Sequence, residues 1–564
     1  MSPLPQRHLG TEDLATLGAA ELRAVIAHLN LPPVGALDDR SGPPLAAGEN
    51  LHEIGPVLRS AVLERRHQHG LLAAPMDLLG LRGLDRQTLT SLALRLGDLS
   101  RYGQRVRPIW GGPDFEKTLF RTLESAERSI HLSTYVFGGE AGMRVARLLA
   151  RKAAAGVAVR VLFCAAGIVV SGSPSGTGIV SRWSGARTSL LRDIYQRAGI
   201  VRFLRAAGVP FIDSAPVGRH WRRHELRKIG VTNRGSYERW ARARGIPDDW
   251  LEEQELIDRE CAFGFTNVDH RKMLLVDGCR ALVGGQNIAD SYVYAETLDA
   301  EMRVNVRRWH WHDCGATIEG GCVRELGRLF LQRWALSGGD LFDPDDRTLT
   351  ASPTRAGEAV VTLQPSIPGM SRLPVSRNLP RLLAALCGAG VGPLLEGRHP
   401  IRERMIALPA QAQGEFLAEH CYPSDGELLE RWAAAGRRLE RSILLVPTVY
   451  DAPLLGRECS RRVLALDPAG VRVHGYRRAI LHAKVCVADG FYVVIGSYNL
   501  TLRSARADLE LEFFVQDSDF GAAVRAHLLE DLAESPLLEP AGLERLRALI
   551  PIPLVEGAAR FLFF

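Results

Sequence analysis

Along residues 110–165 the apolar positions alternate between two periods. Residues 115–126 repeat at helical spacing and predict a helix, and residues 129–137 predict a buried strand. Residues 141–155 predict a second helix, closed by Gly156, and residues 157–163 a second strand. Strand, helix and strand in that order form a βαβ unit with a parallel sheet. The alternation returns near the C-terminus. Residues 426–439 predict a helix, 442–450 a strand, 454–466 a helix and 470–474 a strand. Upstream, Leu79, Leu81 and Leu84, then Leu89, Leu92, Leu94 and Leu96, fit amphipathic helices better than strands.

With 46% hydrophobic and 24% charged residues, the 564-residue chain has globular composition, which excludes disorder and small disulfide scaffolds. A net charge of +6 permits an anionic partner without naming one. Nine cysteines without a C-x-x-C pair read as reduced thiols and give no sign of a structural zinc site. The longest uncharged run, 161–181, contains Ser-Gly-Ser-Pro-Ser-Gly-Thr-Gly and reads as a loop after a strand, so no membrane span is expected. The first residues lack the apolar region of a secretory leader. Only five basic residues are lysine, namely Lys117, Lys152, Lys228, Lys272 and Lys484.

One pattern occurs twice. His270-Arg-Lys272 is followed by Asp277, Gly284-Gly285 and Asn287, and His482-Ala-Lys484 by Asp489, Gly496-Ser497 and Asn499, each pair 212 residues apart. Two copies of one unit are therefore expected. The domain expectation is a helical accessory region at 1–105, a first lobe at 106–340 with a basic insertion at about 215–245, and a linker at 341–420. A second lobe follows at 421–535, with a C-terminal tail at 536–564. Residues 480–488 read as one strand with His482 and Lys484 on the same face, and Asp489-Gly490 as a hairpin turn into 491–495. The first copy has the same plan, with Asp277-Gly278 as its turn.

Each copy offers an imidazole, an ammonium and an amide beside small-residue backbone, a plausible half-site for a phosphate. Two copies facing each other would supply one imidazole as nucleophile and one as acid and then base, which displacement at a phosphodiester through a covalent intermediate requires. Two of five lysines at equivalent positions fit a demand for a compact ammonium that arginine would not meet. A metal site is not expected, because H-x-K lacks a second ligand at useful spacing.

H-x-K-x4-D-x6-G-[GS]-x-N, present twice without a gap, resembles the phospholipase D superfamily. The flanks extend the likeness toward bacterial cardiolipin synthases. They are Asn499-Leu-Thr-Leu-Arg503-Ser504, Asp508-Leu-Glu510-Leu-Glu512, Trp311-His-Asp313, Phe330-Leu-Gln-Arg-Trp334 and Tyr135-Val-Phe with Gly142. The resemblance spans about 110–535 and implies an α/β fold of two α/β/α lobes related by pseudo-two-fold symmetry. It also implies catalytic residues His270, Lys272, Asp277, His482, Lys484, Asp489, Asp313 and Glu510. His270 would attack to form a phosphohistidine, and His482 would be the acid for the leaving alcohol. Lys272, Asn287, Lys484, Asn499, Gly285 and Ser497 would hold the phosphate. By position in the resembling segments, Asp313 would fix the tautomer of His270 and Glu510 that of His482. Asp277 and Asp489 sit in D-G turns, where a structural role is equally open. No cofactor is implied. The two imidazoles should differ in protonation near neutral pH, giving a bell-shaped pH–rate profile.

The resemblance covers lipid transferases, lipid hydrolases and nucleases. The flanks favour phosphatidyl transfer of the cardiolipin synthase type. Hydrolysis to phosphatidic acid is the alternative, and a metal-independent nuclease or other phosphodiesterase the second. A degenerate binding protein would have lost a motif residue, and none is lost. The expected partners are an anionic phospholipid such as phosphatidylglycerol and an alcohol acceptor, at the inner face of the cell membrane from the cytoplasmic side. In the insertion, Arg219, Arg222, Arg223, Arg227, Lys228, Arg234, Arg239, Arg242 and Arg244 interleave with Trp221, Tyr237 and Trp240. That composition suits an anionic bilayer surface, and would also suit nucleic acid or a solvated helix face. The apolar loop 168–180 could touch acyl chains, cap the site or be plain surface.

Overall fold

The computed structural model describes mainly residues 56–89, 103–164, 199–214, 224–261, 268–293, 310–340, 355–366, 399–450 and 453–538, with short stretches elsewhere. The first lobe supplies β1 (Arg105–Trp110), β2 (Ser129–Thr134), β3 (Ala158–Phe163), β4 (Phe211–Asp213), β5 (Met273–Val276), β6 (Arg280–Gly284), β7 (Trp311–His312) and β8 (Cys314–Glu319). Next come β9 (Val360–Ser366) and the small pair β10 (Ser371–Arg372) and β11 (Glu396–Gly397). The remainder are β12 (Glu415–His420), β13 (Arg441–Pro447), β14 (Arg472–Tyr476), β15 (Ile480–Leu481), β16 (Lys484–Ala488), β17 (Tyr492–Gly496) and β18 (Glu510–Gln516).

Two seven-stranded mixed sheets result, ordered β1-β8-β6-β5-β2-β3-β4 and β9-β18-β17-β16-β12-β13-β14. The second order repeats the first strand for strand. In both, a parallel pair (β2 with β3, β12 with β13) borders the antiparallel motif hairpin (β5 with β6, β16 with β17). The D-G turns close these hairpins with positive φ at both residues, 55° and 66° for Asp277-Gly278 and 51° and 63° for Asp489-Gly490. That conformation matches the right-handed twist of the flanking strands.

A single core holds the lobes together. It joins Met273, Leu275 and Val283 of the first sheet to Leu417, Val485 and Ile495 of the second. Phe330 and Trp334 of the helix Cys322–Leu336, and Phe520, Val524 and Leu528 of the helix Ser518–Ala533, complete it. Each such side chain contributes about 1.5–3 kcal/mol by leaving water, so the shared layer opposes separation of the lobes.

Three expectations need correction. The supposed linker supplies β9, the helix Pro400–Ala407 and the interior strand β12. That strand was hidden because Glu419 and His420 are fully buried in it, which breaks the apolar pattern. Residues 480–488 are not one strand, since the ladder stops at Leu481 and resumes at Lys484. Leu79, Leu81 and Leu84 lie in turns instead of a helix, with Gly80 and Gly83 at φ of 80° and 83°. Leu78, Leu81, Leu84 and Leu89 nevertheless join Leu58 and Val62 of the helix Pro56–His69 in a separate cluster that reaches Val360 of β9. Leu92, Leu94 and Leu96 lie outside the described residues, as do residues 539–564.

Candidate active site

The ladder breaks at both motifs because the chain bonds across the lobes there. The His270 N–H donates to Leu509 O at 2.9 Å, next to a parallel bridge between Asp269 and Leu509. The His482 N–H donates to His312 O at 2.7 Å, where β15 runs parallel to β7. Each motif is thus stitched to the segment that carries the other lobe's carboxylate.

This stitching reverses the expected pairing of carboxylates. His270 Nδ1 lies 3.0 Å from Glu510 Oε2 and 3.0 Å from the Ser497 carbonyl oxygen. His482 Nδ1 lies 2.7 Å from Asp313 Oδ2. Each histidine is held by the opposite lobe, a relation that linear position hides because it depends on which segments pair. A carbonyl can only accept, so His270 carries its proton on Nδ1 and keeps a lone pair on Nε2. Asp313 sets the same tautomer at His482.

Lys272 Nζ donates to His270 O at 2.5 Å, and Lys484 Nζ to His482 O at 2.6 Å. Lys484 Nζ also lies 3.1 Å from His482 Nδ1. Both ammonium groups act on both imidazoles, which puts the two motifs in one site. Aromatic rings wall it. Tyr135 meets His270 edge-on at 5.1 Å, and Trp311, Tyr292 and Tyr422 meet His482 edge-on at 4.7, 5.7 and 6.0 Å. Tyr292 and Tyr422 escaped the sequence reading, although Tyr422 follows β12 much as Tyr135 follows β2.

Burial and the lysines drive both imidazoles toward neutrality. His270 falls well below the usual value, through burial and then Lys272 and Lys484. His482 falls to about 3, through burial and then Lys484. Burial first, and the two lysines after it, favour the neutral form of both imidazoles, against the opposite protonation expected of them. The carboxylates differ. Burial pushes Glu510 up to about 7, against Lys272 and the Ser497 hydroxyl. Asp313 stays below its usual value: burial opposes its charge, but Lys484 and His482 outweigh burial. Burial also lowers Lys272 to about 7, while Lys484 is raised, because Cys421 and Asp313 outweigh its burial.

Several expected phosphate ligands have other partners. The Gly285 N–H donates to Cys314 O, and the Ser497 N–H to Leu511 O, both at 3.0 Å. The Ser497 hydroxyl donates to Glu510 at 2.6 Å. A Cβ at Gly285 would lie 2.3 Å from Asp313 Oδ1, so this glycine makes room for the carboxylate. Asn287 Oδ1 accepts from the Val136 N–H at 3.1 Å, and its amide nitrogen donates to the Tyr292 hydroxyl at 2.9 Å. Cys421 Sγ lies 3.1 Å from Asn499 Oδ1. These small and amide residues help build the frame around the imidazoles.

Asp277 and Asp489 stand apart from the reacting groups. Asp277 accepts from the N–H groups of Glu127, Arg128 and Ser129 at the entry to β2. Asp489 accepts from those of Gln413, Gly414 and Glu415 at the entry to β12. Both pin hairpin turns to neighbouring strands, in keeping with the structural role that their place in D-G turns left open.

The basic insertion is also less exposed and less positive than its composition implies. Tyr237 is buried and Trp240 packs on the shared core. The acidic helix Asp248–Cys261 lies alongside, so Arg234 pairs with Glu238 and Glu255 at 2.7 and 2.9 Å, and Arg242 approaches Asp248 at 3.5 Å. Arg219, Trp221, Arg222, Arg223 and the loop 168–180 lie outside the described residues. Among the described residues no helix is long and apolar enough to cross a membrane.

Residues 407–532 match the family described as "Cardiolipin synthase, PLD-like domain". The chain is 24% identical over 489 residues to a cardiolipin synthase of Geobacillus sp. (strain WCH70), covering 85% of this chain and 76% of that protein. It is 22% identical over 439 residues to a probable cardiolipin synthase, YwiE, of Bacillus subtilis (strain 168), covering 78% and 68%. Among solved structures, a phosphatidylserine synthase of Haemophilus influenzae Rd KW20 aligns over 83% of this chain and 98% of its own, with 12% identity and a TM-score of 0.47.

Proposed function

We propose that this enzyme of the phospholipase D superfamily is a phosphatidyltransferase of the cardiolipin synthase type, working through a phosphohistidine. The observation that carries the reading is the pair of buried imidazoles. Each has Nδ1 engaged by a carboxylate of the opposite lobe and Nε2 left for chemistry, with Lys272 and Lys484 acting on both.

In the first step His270 Nε2 attacks phosphorus and the bond to the leaving alcohol breaks. His482, as imidazolium, gives its proton to the departing oxygen. The order follows from the carboxylates. Asp313, held ionised, stabilises a cation on His482, whereas Glu510 gives up its own proton only near neutrality. The phosphodiester anion supplies the negative charge that lets His482 take up a proton despite Lys484. In the second step neutral His482 removes the proton of the acceptor hydroxyl. Its oxygen attacks phosphorus, and the P–N bond to His270 breaks. The lysines neutralise the non-bridging oxygens throughout.

The donor is an anionic phospholipid such as phosphatidylglycerol and the acceptor a lipid alcohol, so the enzyme acts while bound peripherally at the cytoplasmic face of the membrane. Purified protein incubated with phosphatidylglycerol vesicles should yield cardiolipin and glycerol. Phosphatidic acid without cardiolipin would replace transfer by hydrolysis, and a separate incubation that shortens single-stranded DNA while phosphatidylglycerol stays intact would overturn the lipid reading.

A further inference from the structure

The cluster of His312, His527, Asp531 and Glu419 lies at the seam between the lobes and takes no part in the phosphoryl chemistry. His312 comes from β7 of the first lobe and Glu419 from β12 of the second. His527 and Asp531 lie one turn apart on the helix Ser518–Ala533 and so share a face. His312 Nε2 lies 3.0 Å from Asp531 Oδ2 and 3.6 Å from Glu419 Oε2, and His527 Nε2 lies 3.3 Å from Asp531 Oδ2.

These groups are close but poorly satisfied as a hydrogen-bond network. His312 Nε2, His527 Nε2, Asp531 Oδ2 and both Glu419 oxygens have no aligned hydrogen bond. Glu419 is fully buried and Asp531 nearly so, at 0% and 2% exposure. Asp531 faces His312 and His527, and Glu419 faces His312, at 3.0–3.6 Å, and two carboxylates buried this deeply at one seam are costly unless positive charge sits against both. One ring nitrogen from each of His312 and His527 and one Asp531 oxygen lie within 4.8 Å of one another. Metal–ligand bonds of about 2.0–2.2 Å place tetrahedral zinc ligands roughly 3.3–3.5 Å apart, which brackets the middle of the observed separations.

The geometry points to a zinc site made by His312, His527 and Asp531, with Glu419 as the fourth ligand, clipping the two lobes together. The donor set of two imidazoles and two carboxylates suits zinc and is too rich in nitrogen for magnesium or calcium. The rings are already fixed: His527 stacks on Trp110 at 3.8 Å and His312 on Tyr476 at 4.6 Å. The His527 side chain keeps 22% exposure, which leaves an entry path. Because His312 precedes Asp313, the metal would also fix the segment that orients His482. The inference does not depend on which phosphodiester is cleaved.

The test uses full-length protein stripped with EDTA, then loaded with zinc chloride and passed through gel filtration. About one zinc per chain should be retained, and zinc should raise Tm by about 2–5 °C. His527→Ala and the isosteric Asp531→Asn should each lose that zinc and that shift. Melting without metal reports whether the variants fold, and His312→Gln provides a third removal should either fail. Retention of as much zinc by the folded variants as by the parent would overturn the site. So would a parent that retains less than about one zinc per ten chains, or an equal rise in Tm with magnesium chloride.

Discussion

The two half-sites share one scaffold and differ in charge. Both place a histidine where its motif leaves the sheet, and both borrow a carboxylate from the opposite lobe. At His482 the partner is an aspartate held ionised, with a raised lysine beside it. At His270 the partner is a glutamate pushed to about 7 that accepts from a serine hydroxyl, the imidazole also meets a backbone carbonyl, and the lysine is lowered to about 7. Duplication supplies two equivalent positions, and local burial then makes them unequal. The proposed displacement needs that inequality, because in it one imidazole bonds to phosphorus while the other carries a proton.

Removing either imidazole should have the largest effect and break the comparison in different ways. His482→Ala should lower turnover about 10²–10⁴-fold, through loss of the general acid. Substrates with good leaving groups should partly rescue it and leave a trapped phosphohistidine. His270→Ala should abolish turnover and give no covalent label with any substrate. Mass spectrometry of acid-sensitive phosphopeptides distinguishes the two. Label on the His270→Ala protein would reverse the assigned order.

The carboxylates sharpen the contrast. Asp313→Asn should cost more turnover than Glu510→Gln, on the order of 10²-fold or more against about 10-fold, because only Asp313 is ionised throughout the neutral range. Steady-state kinetics of the two variants checks this, and equal losses would remove the asymmetry. The pH dependence of stability gives a second readout. From its ordinary 4.5 up to about 7, folded Glu510 keeps a proton that the unfolded chain has released. Its contribution therefore favours folding more as pH falls through that window. Relative to Glu510→Gln, the parent should gain stability from pH 7 to 5, by at most about 1.4 kcal/mol per pH unit in urea denaturation. The imidazoles act in the opposite direction. Unfolded His482 binds a proton below 6.5 and folded His482 only near 3, so acid removes stability over the same range.

Asp277 and Asp489 compare the lobes where they are alike. Each carboxylate accepts three backbone N–H groups at the start of a neighbouring strand. Asp277→Ala and Asp489→Ala should each destabilise by about 1–3 kcal/mol, with KM and kcat of the remaining folded protein little changed. Thermal melting beside turnover per folded molecule tests this. A large loss of kcat without a loss of Tm would return these residues to the reacting set.

The motif residues were legible because the motif repeats without a gap, and the parallel pairs β2 with β3 and β13 with β14 because a helix of regular apolar spacing separates the strands of each pair. What escaped was whatever depends on the lobes meeting. The crosswise carboxylates follow from pairing of β7 with β15 and from the bridge between Asp269 and Leu509, contacts with no linear signature. The strand β12 escaped because Glu419 and His420 interrupt its apolar run, yet both are buried, Glu419 facing His312 of the first lobe and His420 packed on Trp432 of its own. Tyr237 looked like a surface aromatic among arginines, and it is a core residue whose hydroxyl reaches the Leu336 carbonyl oxygen at 3.2 Å. Composition records which residues are present along a segment but not the side of the helix on which each one lies.

The smallest expected effect concerns the arginine-rich helix Arg234–Ala243. Arg234 is 57% exposed and Glu238 31% exposed at the side chain, and the pair sits at i, i+4 beside Glu255. Such exposed ion pairs contribute about 0–1 kcal/mol, since solvent screens them and ordering two long side chains costs entropy. Arg234→Gln should therefore shift stability by less than about 1 kcal/mol and leave turnover on soluble substrate analogues unchanged. Binding to phosphatidylglycerol vesicles separates a membrane role from a purely local one. Because the helix Asp248–Cys261 already engages Arg234 and Arg242, single removals should weaken vesicle binding less than twofold. A several-fold loss that disappears at high salt would show that these arginines leave their acidic neighbours for the bilayer.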